Sequence, residues 1–180
     1  MSTDAGETIE APAAFEAHAR GLAKAERRMA KKRRGSRRYE EEKRVVARWH
    51  AKIKHVRRDF QHNLSRRIVD GHDRIYVNSF DIKGMLADEE SGYLNRRIVD
   101  AAWGQFLFML SYKAQDAGKV YVEVHSKDTA QECSRCSVTV HKTLAAREHS
   151  CRHCGLSLPR GVNAARNVRK RAEAELGTMV

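Results

Sequence analysis

The chain has 180 residues, with 35 Lys and Arg against 23 Asp and Glu, a formal net charge of +12 and a pI near 9.9. That length holds one domain plus a small module, or a compact domain with a long helical extension. The clustered positive charge favours a phosphate polymer over an acidic protein partner, with salt-sensitive affinity. No stretch approaches the roughly 20 apolar residues that span a bilayer, and the acidic, polar Met1 to Glu10 does not read as a signal peptide, so no membrane partner is expected.

Residues 1–14 are small and Ala-rich and read as a flexible N-terminus. From Phe15 the pattern is helical, with Gly35-Ser36 as its one interruption, so residues 15–70 form a basic helical hairpin. In the first arm, Arg27, Arg28, Lys31, Lys32, Arg33 and Arg34 place six cations within eight residues, a repulsion that phosphates would relieve. The second arm, from about Arg37 to Val69, carries an apolar stripe of Val45, Trp49, Ile53, Val56, Phe60, Leu64 and Ile68. That stripe is core packing. Around it, Arg37, Arg38, Arg48, Lys52, Arg57 and Arg58 are candidate nucleic-acid contacts.

A strand over Arg74 to Phe80 leads into a loop through Lys83-Gly84-Met85. A helix from about Ile98 to Ala117, ended by Gly118, presents Ile98, Ala102, Phe106, Met109 and Leu110 on one face, and Trp103 with Phe106 is read as packing. Lys119 to His125 alternates as a strand, with Val120, Val122 and Val124 on one side. Strand, helix, strand predicts a βαβ unit, which makes residues 71–128 an α/β core. The pentapeptide Arg-Arg-Ile-Val-Asp recurs at Arg66 to Asp70 and Arg96 to Asp100 and is read as coincidence.

All four cysteines fall in two CxxC pairs, Cys133-Ser-Arg-Cys136 and Cys151-Arg-His-Cys154, with 14 residues between them. Two such turns bring four thiolates to one tetrahedral ion, so residues 129–158 are expected to form a structural zinc ribbon with no open coordination position. The interval fits a β-hairpin and little else, so the metal must hold the module together. His153 is expected to face solvent, and the other histidines show no metal spacing. Arg135, Lys142, Arg147, Arg152 and Arg160 make the ribbon basic; Arg135 and Arg160 join the candidate contacts. A last helix is expected from about Asn163 to Leu176, with Asn163 and Asn167 capping or hydrogen-bonding around it.

The order of these features, with Asp100-Ala-Ala-Trp103-Gly-Gln-Phe106, the two CxxC pairs and Val162-Asn163-Ala164-Ala165-Arg166-Asn167-Val168, resembles the C-terminal half of TnpB. TnpB is the transposon-encoded, RNA-guided nuclease related to type V CRISPR effectors. The resemblance implies a partial RNase H-like (RuvC) α/β core with the ribbon inserted before its last helix, in residues 159–180, and a prokaryotic, cytoplasmic, nucleoid-associated location. The family cuts DNA with three carboxylates holding two divalent metals. Its first motif lies upstream of everything in this sequence. Its second reads V-E-D-L-N-V-K-G-M, and here Asn78 stands where the glutamate does. Its third reads D-R-D-x-N-A-A-x-N, and Gly161 replaces the catalytic aspartate.

Asp81 is three residues from Asn78, so on a strand it points to the opposite face, and no Asp or Glu occurs between Glu148 and Glu173. An amide and a glycine are poor substitutes for carboxylates on hard metals, so productive Mg²⁺ binding is not expected. The implied function is a nuclease-inactive binder of guide RNA, DNA or their heteroduplex, acting as a scaffold or repressor with a longer partner. Alternatives are a protein-interaction subunit that pairs with itself or a full-length relative through an open sheet edge, and an endonuclease with a split active site.

Overall fold

The structure, a computed structural model, describes residues 1–79, 100–125, 127–143 and 145–177. The Lys83-Gly84-Met85 loop, Asp81 and the helix start at Ile98 lie outside the described residues. The rest is a mixed α/β chain of two compact units: Met1–Glu10, Ile68–Asp81 and Leu110–Val180 in one, Ala11–Arg67 and Ile82–Met109 in the other.

In the second unit, α1 (Ala14–Ala30) and α2 (Arg37–Gly71) form the basic helical hairpin. The break between them comes earlier than Gly35-Ser36: α1 ends at Ala30, and Lys31 to Arg34 lie in the turn. Crowded cations disfavour another helical turn, whereas the connection lets their side chains diverge. Gly35, at φ 78°, completes the turn, and Ser36 caps α2 by accepting the Tyr39 N–H on its Oγ at 3.2 Å.

Ala14, Leu22 and Ile53 make the buried core of the hairpin, with Phe15, Val46 and Trp49 packed against it. The predicted stripe on α2 holds at Trp49, Ile53 and Leu64 but not at Val56, which is 36% exposed. Its mean step exceeds the 3.6-residue helical period, so the stripe drifts around the axis. Gln61, Ser65 and Val69 are buried further along. At the foot of the hairpin, Asp100 does two jobs. Its Oδ2 accepts the Phe15 N–H at 3.0 Å, capping α1 where Ala13 offers no side-chain cap, and its Oδ1 meets Arg57 Nη1 at 3.4 Å.

In the first unit, β1 (Arg74–Ser79) and β2 (Val120–His125) pair in parallel, Arg74 opposite Val120 through Ser79 opposite His125. Helix α3 (Trp103–Asp116), whose residues up to Met109 belong to the second unit, precedes β2, as the βαβ expectation requires, and buries Phe106, Met109 and Leu110. Asp100 and Ala101 are helical as well, and Ala102, at φ 45°, interrupts the path just before Trp103. Helix α4 (Arg160–Gly177) lays Val168 and Ala172 over Val124, with Tyr76 and Val122 alongside. It begins three residues before Asn163, which places Gly161 and both asparagines inside the helix. Val120, expected to share this face, is 39% exposed at the strand's start.

One contact on the hairpin yields a sign test. A Cβ on Gly21 would lie 2.5 Å from the Trp49 ring carbons Cη2 and Cζ2. Gly21→Ala should therefore cost about 1–3 kcal/mol by overpacking, outweighing the ~1 kcal/mol that alanine gains in a helix. In a Trp49→Leu background the same change should become stabilising. Thermal unfolding of the four variants measures both signs.

Candidate metal centre and basic surfaces

The four sulfurs of Cys133, Cys136, Cys151 and Cys154 all lie within 4.8 Å of one another. Cys133 and Cys154 approach to 3.6 Å, as do Cys136 and Cys151. A tetrahedron with metal–sulfur bonds of ~2.3 Å has edges of about 3.8 Å, so the donor set fits one zinc-sized ion.

Two equivalent turns build the cluster. The Ser137 N–H donates to the Cys133 carbonyl at 2.9 Å, and the Cys133 N–H to the Val138 carbonyl at 3.0 Å. In the second turn, Gly155 N–H donates to the Cys151 carbonyl at 2.9 Å and Cys151 N–H to the Leu156 carbonyl at 2.8 Å. The closing residue is left-handed in both, Ser137 at φ 61° and Gly155 at φ 72°. Glycine takes that conformation freely, and serine pays a steric penalty.

The sequence suggested one hairpin filling the interval between the pairs. Instead, each pair is the tip of its own hairpin. Glu132 bridges Thr139 around the first, and β3 (Glu148–Ser150) pairs antiparallel with β4 (Ser157–Pro159) around the second. A CxxC turn already reverses the chain, so strand pairing follows on its flanks.

Apolar support is thin: Leu156 is buried, and Val140 and Leu158 are partly so. Burial pushes the Cys133 thiol up, but hydrogen bonds from the Cys136 and Arg135 N–H groups, then from His149 and Cys154, outweigh it and bring the thiol down to about 5. At Cys136 the Val138 N–H pulls the thiol down. Burial and the other three cysteines overcome that and push it up to about 12. A divalent cation among the four sulfurs would favour the thiolate form of each.

Two features here carried no spacing signal. His149 is completely buried; its Nδ1 meets Lys142 Nζ and its side chain reaches the Cys133 sulfur. A buried imidazole beside a cysteine sulfur suits an outer hydrogen bond to a metal ligand. Asn163 and Asn167, one helical turn apart on α4, do not cap it. Asn163 Oδ1 accepts the Ser134 N–H at 2.9 Å, and its Nδ2 donates to the Glu132 carbonyl at 2.7 Å. Asn167 Nδ2 donates to the Thr129 and Glu132 carbonyls at 2.9 and 2.7 Å. The pair ties the first cysteine turn to the helix. His153 is exposed, as expected.

The candidate nucleic-acid contacts divide by structural duty. Arg27, Lys31, Arg33, Arg34, Arg38, Arg48, Lys52 and Arg135 are exposed, and Lys32 is half-buried. Arg28 pairs with Glu42 at 3.3 Å and Arg37 with Glu41 at 3.1 Å. Arg57 is tied to Asp100, Arg58 donates to His62 at 3.3 Å, and Arg160 donates to the Ala146 carbonyl at 3.3 Å. Of the two family-motif positions, Asn78 lies on β1 and Gly161 in the first turn of α4, both in the first unit. Among the described residues no helix is long and apolar enough to cross a membrane.

Comparison with known proteins places these features. Residues 1–88 match the family profile described as "Probable transposase", and residues 103–168 match "Cas12f1-like, TNB domain". A Streptomyces pristinaespiralis protein named "Putative RNA-guided DNA endonuclease" is 34% identical over 93% of this chain and 41% of its own length. An Escherichia coli K12 relative named "Putative RNA-guided DNA endonuclease InsQ" is 27% identical over 97% of this chain and 47% of its own. The chain thus spans less than half the length of either relative. A chain in the cryo-EM structure of the Cas12f1–sgRNA–target DNA complex shares the fold, with a TM-score of 0.60 and 17% identity over 90% of this chain and 43% of that one.

The asparagine clamp is testable through metal retention. Asn163→Ala strands the part-buried Ser134 N–H, while Asn167 still serves the Glu132 carbonyl, at a cost of about 1–3 kcal/mol, so a chelator should strip metal from that variant at least about fivefold faster. An absorbance assay with a metal-responsive dye reads the rate, and Cys151→Ser should abolish stoichiometric binding.

Proposed function

The chain is a TnpB-like protein, and from that premise we propose that it binds nucleic acid, whether RNA, DNA or a heteroduplex of the two, without cutting it. The observation that carries this reading is the packing at Gly161. A Cβ there would lie 2.5 Å from Ser2 Oγ and 2.9 Å from Ser2 Cβ. Where the family resemblance puts a catalytic aspartate, this chain has no side chain, and one added there would have to displace Ser2.

The second position agrees. Asn78 lies two residues from Tyr76, and so on the strand face that α4 covers. Its Oδ1 is buried without a hydrogen-bond partner among the described residues. A neutral amide and a glycine do not fit a two-metal carboxylate centre. The parallel β1–β2 pair under α4 is consistent with part of a RuvC-type core.

Binding rests on charge. The exposed cations of the α1–α2 turn and of α2 form a surface suited to the phosphate backbone, a sequence-independent contact. The relatives are named as RNA-guided DNA endonucleases, and the solved neighbour is in complex with guide RNA and target DNA. The cysteine quartet supports structural zinc as the resident metal, with all four donors from protein and no position left for water. By this reading the protein serves as a scaffold or an occupancy repressor alongside a longer chain that supplies target recognition.

The test is anisotropy with labelled single-stranded DNA, RNA and heteroduplex across a salt series, in Mg²⁺, with products then resolved on a denaturing gel. About five phosphate contacts should lower affinity about 10²- to 10³-fold between about 50 and 200 mM salt, with every substrate intact. Gly161→Asp should lower stability and restore no cleavage. Mg²⁺-dependent cutting by the native chain would sink the inactive reading, and absence of binding near physiological salt would leave a protein partner as the occupant of its basic surfaces.

A further inference from the structure

One face of α2 carries more than charge. Val45, Arg48, Trp49 and Lys52 line a shallow groove of about 240 Å³. Pockets that enclose a whole small molecule run to roughly 300–1,000 Å³, so this one suits a single flat ring lying against the surface.

The groove is built around an immobilised indole. The Trp49 ring passes so close to the Gly21 backbone that no side chain fits there, and the His18 ring lies 5.9 Å away at 50°. Trp49 also packs against the Ala14, Leu22 and Ile53 core. Little ordering entropy remains to be lost when a ligand settles on such a ring. Over the ring, Lys52 Nζ stands 5.6 Å from the centroid, a cation–π contact.

Charge on the hairpin is segregated around this groove. Arg28, Arg37, Lys43 and His50 each have a carboxylate partner in Glu42, Glu41, Glu40 and Glu26. Arg48 and Lys52, one helical turn apart and both exposed, have none among the described residues. An aromatic floor, one aliphatic wall and two uncompensated cations complement a base attached to a phosphate chain: the ring takes the π-face, and the flanking phosphates take the cations.

We propose that this groove is a stacking site for one unpaired nucleobase of a single-stranded nucleic acid, with Arg48 and Lys52 holding the adjacent phosphates. The proposal rests on the nucleic-acid-binding reading and narrows it: single strands gain a contact here that duplexes, with their bases already stacked, do not. Lys52 leaves the ring as the base arrives and turns to the phosphate.

The chain has two tryptophans, Trp49 and Trp103, so Trp103→Phe makes indole fluorescence a report on Trp49 alone. The full-length protein is titrated with an oligothymidylate, with a blunt duplex and with polyglutamate, following fluorescence and anisotropy together. Stacking predicts quenching by the oligothymidylate and not by the duplex. Trp49→Leu should weaken single-strand binding about 5- to 150-fold and duplex binding less than twofold. Should the leucine variant fold poorly, the surface changes Arg48→Ala and Lys52→Ala must show the same selectivity. Equal binding of both nucleic acids without quenching would overturn the stacking site and leave the general reading standing. Failure to bind either nucleic acid would overturn both, and quenching by polyglutamate alone would reassign the groove to an acidic protein.

Discussion

Four sulfurs whose closest pairs stand 3.6 Å apart cannot all be anions unless a cation sits among them. That requirement organises the ribbon, because Leu156, Val140 and Leu158 offer too little apolar area to hold two hairpins together. The dependence continues outward. The backbone around the first cysteine turn receives Asn163 and Asn167 from α4, and α4 covers the β1–β2 pair through Val168 and Ala172. Arg171 adds to the same join, pairing with Glu132 at 3.0 Å and donating to the Lys127 carbonyl at 2.7 Å. Under the proposed zinc reading, loss of the metal would free the carbonyls and N–H groups to which α4 is bound, leaving buried amides to find water.

The hairpin solves a different problem. A 35-residue helix rich in Lys and Arg repels itself, and the attraction that offsets this is local: Asp100 at the foot, Glu26 on α1, and Glu40, Glu41 and Glu42 in the first turns of α2. These carboxylates compensate some cations and leave others free. Exposed ion pairs of this kind contribute ~1 kcal/mol or less each, so their greater consequence is directional, leaving the uncompensated charge at the interhelical turn and beside Trp49. Net charge explains attraction to a polyanion. The distribution of carboxylates decides which face meets it.

At the two positions where the resemblance puts catalytic acids, the residues present and their local packing both accord with the proposed inactivity. Glycine at position 161 supplies no side-chain ligand, and a Cβ there would meet the Ser2 side chain. Asparagine at position 78 retains the shape of an acid without its charge, so its oxygen can be buried without the large penalty of an isolated carboxylate.

The sequence by itself determined the periodic elements and the ligand set. The α2 stripe, the alternation of β2 and the paired CxxC spacing are repeats over short stretches, and local geometry converts each directly into a helix, a strand or a metal-sized cluster. The resemblance carried by the residues around Asp100, the cysteines and Asn163 gave the family. Contacts between distant segments were not legible in it. Asp100 capping α1 from 85 residues away, Gly21 making room for Trp49, and His149 reaching the Cys133 sulfur leave no periodic trace. Asn163 and Asn167 have the look of capping residues, since asparagine favours helix ends. Only the docking of the cysteine turn onto α4 shows that their amides serve another segment's backbone. Buried polar groups must be paired, but sequence cannot say with whom, because the partner is chosen by the path of the whole chain.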